Sequence, residues 1–152
     1  MKHKTTLIVR GGGDLASGVI HRLYKCGYQV LVLECAKPSA IRRRVSFGEA
    51  VYDGTSRVEG VTGRLIKDIS ECRKVWDEKE IPILVDENAD AVSELKPDAL
   101  IDAILAKKNL GTTRMMAPLT IGLGPGFTAR VDVDYVVETQ RGHNLARVIE
   151  KG

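Results

Sequence analysis

"IVRGGGDLASG", residues 8–18, places three consecutive glycines directly behind a short apolar run. Glycine loses more backbone freedom on folding than any other residue, so a triplet at this position needs a reason. Two are open: a tight strand-to-helix turn kept for packing, or bare backbone against which phosphate can lie. The flanking residues decide the local fold. TTLIVR (5–10) is apolar and β-branched, as expected of a parallel strand buried on both faces. After the glycines, Leu15, Ala16, Val19, Ile20, Leu23 and Cys26 recur at helical spacing, and Gly27 ends the helix. QVLVLE (29–34) then repeats the strand pattern. A βαβ unit therefore spans residues 5–34.

Within that unit Gly11-x-Gly13-x-x-Ala16 matches the dinucleotide-binding pattern, with Gly12 between its first two glycines. Gly11 permits the turn, Gly13 lets a pyrophosphate approach the backbone, and the small Ala16 lets helix and strand pack closely. The helix N-terminus adds unpaired N–H groups and partial positive charge. Glu34, closing the second strand, is placed to accept the hydroxyls of an adenosine ribose and to repel a 2′-phosphate. A carboxylate beside pyrophosphate is repulsive, so Asp14 is expected to N-cap the helix, with Ser17 nearby; holding a bridging divalent ion is the other use for it. The P-loop pattern fails, because Gly18 is followed by Val-Ile and not by Lys-Ser/Thr.

The alternation continues. Residues 45–66 read as short strands and turns. Asp68 to Lys79 reads as a helix with Ile69, Cys72, Val75 and Trp76 inward. IPILVD (81–86) is a strand, Asn88 to Lys96 a helix, and DALIDAIL (98–105) another strand. PLTIGLGPGF (118–127) and VDVDYVVET (131–139) add two strands around a stiff Gly-Pro-Gly turn, and RGHNLARVIE starts a last short helix or strand. This pattern predicts a Rossmann-like, doubly wound, mainly parallel α/β sheet in one domain, residues 1–152.

Composition fits: 43% hydrophobic and 28% charged residues belong to an ordinary globular chain. A net charge of +3, with basic residues dispersed, gives no case for nucleic acid. No apolar run approaches the roughly 20 residues of a membrane span, and no signal peptide is evident. The three cysteines, Cys26, Cys35 and Cys72, match neither a disulfide framework nor a metal-binding spacing, so no metal is expected and a reducing cytoplasm is the natural location.

Other candidates lie at expected carboxyl ends of strands. Arg42-Arg43-Arg44 suits phosphate, though a solvated turn explains it equally well. Lys107 and Asn109 follow the strand around Leu100 to Ile104 as ligand contacts. Gly122, Gly124 and Gly126, with Pro125, free and stiffen a second loop that reads as an anion or ring contact or as a plain β-turn. His143 is a weak catalytic candidate without a visible orienting partner. His21, opposite the apolar stripe, is expected to be exposed, and Cys35 to be a small apolar residue.

"RGGGDLASGVIHRLY", "AIRRRVSFGEAVYDG", "KKNLGT" and "IGLGPGFTARVDVDYVVETQRGHNLARVI" together resemble the YqeB-type family linked to selenium-dependent molybdenum hydroxylases, itself similar to the XdhC/CoxI accessory proteins. The resemblance runs from about Leu7 to Ile149. It implies a Rossmann-like fold and an accessory role in supplying, inserting or modifying the molybdenum cofactor, with the hydroxylase apoenzyme as partner and assembly into homo-oligomers left open. Its motifs fall on Gly11, Gly12, Gly13, Asp14, Ser17, Gly18, Arg42, Arg43, Asp53, Gly54, Lys107, Asn109, Gly122, Gly124, Pro125, Gly126, Arg141, Gly142 and His143. Cys35 stands where relatives are expected to carry threonine. Longer members are expected to continue past "GHNLARVI", so a C-terminal extension is expected to be missing here. The cofactor implied is a dinucleotide, either NAD or a molybdopterin dinucleotide. A small NAD-dependent oxidoreductase is the enzymatic alternative, disfavoured by the lack of a second domain or a Tyr-x-x-x-Lys pair. A non-catalytic structural partner of the hydroxylase would bind no small molecule.

Overall fold

The structure is a computed structural model that describes residues 4–38, 46–106 and 108–138, together with the backbone of residues 148 and 149. Strand β1 (Thr6–Arg10) is buried along its whole length and pairs in parallel with β2 (Gln29–Glu34), from Thr6 opposite Gln29 to Arg10 opposite Leu33. Helix α1 (Asp14–Lys25) joins them. Beyond β2, a 3-10 turn (Phe47–Glu49) runs into α2 (Ala50–Asp53), followed by an antiparallel hairpin of β3 (Thr55–Val58) and β4 (Val61–Ile66). Helix α3 (Cys72–Asp77), β5 (Ile81–Val85), α4 (Ala91–Leu95) and β6 (Ala99–Asp102) come next. Strands β7 (Leu119–Leu123), β8 (Tyr135–Val137) and β9 (Val148–Ile149) complete the described elements.

The strands form one sheet in the order β3-β4-β5-β2-β1-β6-β7-β8-β9. All neighbours from β4 to β8 are parallel, and the two edge strands are antiparallel. The expected doubly wound α/β fold is thus present. Its alternation is visible in the side chains. Val9, Val30, Val32, Ile83 and Ile101 pack on one face with Ala16 and Ile20 of α1 and with Phe47. Ile8, Leu31, Leu33 and Leu100 pack on the other with Cys72, Val75, Ala91 and Val92 of α3 and α4. With period-two side chains and apolar layers on both sides, the interior positions of the central strands are apolar on both faces, hence LIV (7–9) and VLVL (30–33). The chain goes from β1 to β2, makes the β3–β4 hairpin at the edge, inserts β5 between β2 and β4, and then returns to place β6 on the other side of β1. The sheet therefore has its switch point between β1 and β6, where open α/β sheets bind ligands at the carboxyl ends of strands.

Several local expectations change. The helix expected over residues 68–79 begins as a 3-10 turn (Ile69–Glu71) and becomes α-helical only at Cys72. Its start is fixed by a capping box: the Asp68 carboxylate accepts the Ser70 N–H, while the Glu71 carboxylate accepts those of Lys67 and Asp68. Leu15 and Cys26, expected on the inner face of α1, are exposed, because the stripe facing the sheet is narrower and centres on Ala16 and Ile20. His21 is not exposed as expected. The turn between β3 and β4 reaches α1 and brings Glu59 to it, with the Glu59 carbonyl 3.4 Å and the carboxylate 4.0 Å from His21 Nε2. The cysteines are free, and burial pushes the Cys72 thiol up to about 12. No described helix is long and apolar enough to cross a membrane.

Candidate functional site

Two of the three glycines in the opening loop are required by the protein itself. Gly11 has φ +101, and a Cβ there would stand 2.8 Å from the carbonyl oxygen of Ala103 beyond β6. A Cβ on Gly12 would stand 2.9 Å from the backbone nitrogen of Gly48. Gly13 differs: φ is −74, ψ is −167, and nothing lies within 4 Å of where its Cβ would be. Gly18, exposed on α1, is open in the same way, and nothing in the structure accounts for it.

The cap of α1 is Gly13, which has no side-chain hydrogen bond to the helix. Asp14 is the first helical residue and not the expected N-cap; the two positions are adjacent, and glycine fits the extended cap conformation well. Ser17 is fully buried and braces the loop: its hydroxyl donates to the Gly12 carbonyl (3.1 Å) and accepts the Phe47 N–H (2.8 Å). The same carbonyl accepts the Gly48 N–H (2.8 Å) and the Ser46 hydroxyl. Residues 46–48 thereby hold Gly12 from behind and leave Gly13 open.

Glu34 ends β2 beside this loop. Its carboxylate accepts the Gly12 N–H (2.7 Å) on one oxygen and the Cys35 N–H (2.8 Å) on the other. A carboxylate has about four lone-pair positions, and the Cys35 thiol also hydrogen-bonds this one, so acceptor capacity remains for a hydroxyl donor. Glu34 forms one side of a cleft of about 280 Å³ over the carboxyl ends of the central strands. Gly11, Leu33 and Cys35 line it on that side, Asp86 and Glu87 beyond β5, and Ile104 and Leu110 beyond β6, with Arg10 at its base. Burial, and next the Glu34 carboxylate, push the Cys35 thiol above its ordinary range, so it is protonated at neutral pH. Asp86 accepts the N–H groups of Asp90 and Ala91 and so caps α4. Three carboxylates around one cleft favour a neutral, hydroxyl-rich group there over a further phosphate. A larger hollow of about 830 Å³ lies between α4 and residues 113–118, but it opens at the amino ends of β6 and β7, the opposite edge from the glycine loop.

Sequence reasoning missed Arg10, at the base of the cleft, and the two buried residues linked to it, Thr112 and Asp102. Arg10, Asp102 and Thr112 are 3%, 1% and 2% exposed, and they form a buried polar chain. Each looks ordinary in sequence; the signal was polar residues at the last positions of two strands that read as buried. Asn109 is adjacent, and its amide clamps Thr112 by accepting its N–H and donating to its carbonyl, each at 2.8 Å.

The second glycine loop also has internal requirements. A Cβ on Gly122 would meet the Phe127 ring at 2.6 Å, and one on Gly126 would meet Cα of Lys108 at 2.9 Å. Gly124, at φ +84, donates its N–H to the Val137 carbonyl. The structure thus joins this loop to the 108–109 segment. Gly54, at φ +85, ends α2 directly after Asp53. Arg42, Arg43, Arg44, Lys107, Arg141, Gly142 and His143 lie outside the described residues. Among the described residues no group of three or more His, Cys, Asp or Glu is placed to hold a metal ion.

Over 146 residues the chain is 51% identical to "Uncharacterized protein YqeB" of Escherichia coli (strain K12), a match covering 96% of this chain and 27% of that protein. The chain thus spans 27% of the length of this relative. No family model and no solved structure matches the chain.

Proposed function

We propose that this domain binds a dinucleotide across the carboxyl edge of its sheet, with the pyrophosphate at Gly13 and the first turn of α1 and a ribose at Glu34. The observation that carries this reading is the contrast within the glycine triplet. Packing explains Gly11 and Gly12, while Gly13 faces open space at an uncapped helix N-terminus, the arrangement that suits an approaching anion. Glu34 lines the cleft, and as an acceptor with capacity beyond its two backbone N–H bonds it suits a ligand hydroxyl.

The biological setting comes from the motif resemblance. In that setting the domain serves, in the cytoplasm, the maturation of a selenium-dependent molybdenum hydroxylase, as the XdhC-like accessory proteins are expected to do. The dinucleotide is then either NAD or the molybdopterin dinucleotide that the apoenzyme receives.

Titration calorimetry against NAD, NADP and a molybdopterin dinucleotide tests the reading. Saturable binding of NAD or the molybdopterin dinucleotide is expected, with NADP weaker than NAD. Glu34→Ala should weaken NAD binding by about 1–3 kcal/mol, the size of lost charge-assisted hydrogen bonds. Heat from none of the three ligands would leave the structural-partner reading in its place, and equal NAD and NADP affinities would remove the role given to Glu34.

A further inference from the structure

Arg10 closes β1, and its guanidinium lies at the base of the cleft. It donates to Thr112 Oγ1 at 2.8 Å, to the Glu87 carbonyl at 2.8 Å and to the Leu110 carbonyl at 3.2 Å. Glu87 belongs to the connection after β5 and Leu110 to the connection after β6, and both line the cleft. One planar cation therefore ties the two walls together. Arginine suits the task because its donors are fixed in a rigid fork, which a lysine ammonium cannot copy.

The guanidinium is itself held in place. Thr112 donates its hydroxyl proton to Asp102 Oδ2 at 2.6 Å, and the other Asp102 oxygen accepts the Ile104 N–H at 3.1 Å. Arginine can only donate, so the Thr112 hydroxyl accepts from Arg10 and turns its own proton to Asp102. In the sheet Arg10 and Asp102 are register partners on β1 and β6, the two strands that flank the switch point.

We infer that the Arg10–Thr112–Asp102 chain sets the separation of the cleft walls, so that cleft occupancy and the integrity of this chain are thermodynamically coupled. The three are positioning residues, and the coupling to occupancy rests on the nucleotide reading above. A ligand spanning both walls binds the arrangement that Arg10 holds and stabilises it in return.

The test compares wild type, Thr112→Val and Thr112→Ser by amide hydrogen exchange without ligand and by NAD titration. Thr112→Val keeps the shape of the side chain and removes both hydrogen bonds. Exchange is expected to accelerate at position 112 and also beyond the far wall, at Asp90 and Ala91, whose N–H groups are held by Asp86 of that wall. NAD affinity is expected to fall at least tenfold, and Thr112→Ser, which restores the hydroxyl, should recover both. Acceleration confined to residues 109–113 would overturn the inference, as would a folded Thr112→Val protein with wild-type affinity. If the wild type binds no NAD, the same titration is run with a molybdopterin dinucleotide; binding of neither ends the nucleotide reading by itself, and the exchange pattern still decides whether the walls are coupled. Should Thr112→Val not fold, Arg10→Lys, which keeps the charge and loses the fork, takes the same two measurements.

Discussion

Gly13→Val is expected to yield a folded protein whose affinity for its dinucleotide falls at least tenfold, or about 1.4 kcal/mol. The backbone at Gly13 is in the extended region open to any residue, and no protein atom lies within 4 Å of the added Cβ. The folding cost is limited to the weaker capping preference of valine, about 1 kcal/mol. A pyrophosphate lying against this backbone would meet both branched methyl groups. Melting temperature measured beside affinity separates the two effects. A folded variant that still binds as the wild type would show that position 13 takes no part in holding phosphate.

Gly11→Ala should behave in the opposite way, losing stability. At φ +101 an L side chain is strained by roughly 1–2 kcal/mol, and the new Cβ, 2.8 Å from a backbone oxygen, adds overpacking of roughly 1–3 kcal/mol. The sum is roughly 2–5 kcal/mol. For a domain of this size each kcal/mol lowers Tm by roughly 2–4 °C, so thermal and urea melts should both register the change. An unchanged midpoint would mean that the turn between β1 and α1 can rearrange without cost.

These two glycines show where sequence reading succeeds and where it stops. The strands on either side were legible because the interior of central parallel strands is apolar on both faces, and LIV (7–9) and VLVL (30–33) have no other comfortable place. The glycine turn was legible from its place between strand and helix. Which glycine serves packing and which faces solvent was not, because the clashing atoms belong to Ala103 and Gly48, far away in the chain. Ser17 illustrates the same limit: its hydroxyl looks available in sequence, yet the docking of residues 46–48 turns it into an internal brace. The Arg10–Thr112 bond joins residues 102 positions apart, and no local pattern announces such a partnership. The helix cap shifted from Asp14 to Gly13 for a smaller reason, since either residue is acceptable there and only the turn geometry decides.

The central claim is that a dinucleotide sits at the carboxyl edge of the sheet, at Gly13 and Glu34. Following backbone amide NMR shifts of the wild-type protein during titration with NAD or a molybdopterin dinucleotide tests it most directly. The account predicts saturable shifts concentrated at Gly12 to Ala16 and at Glu34 and Cys35, with smaller ones at Glu87 and Leu110 on the cleft walls. Shifts gathered instead around residues 113–118, or none with either ligand, would contradict it.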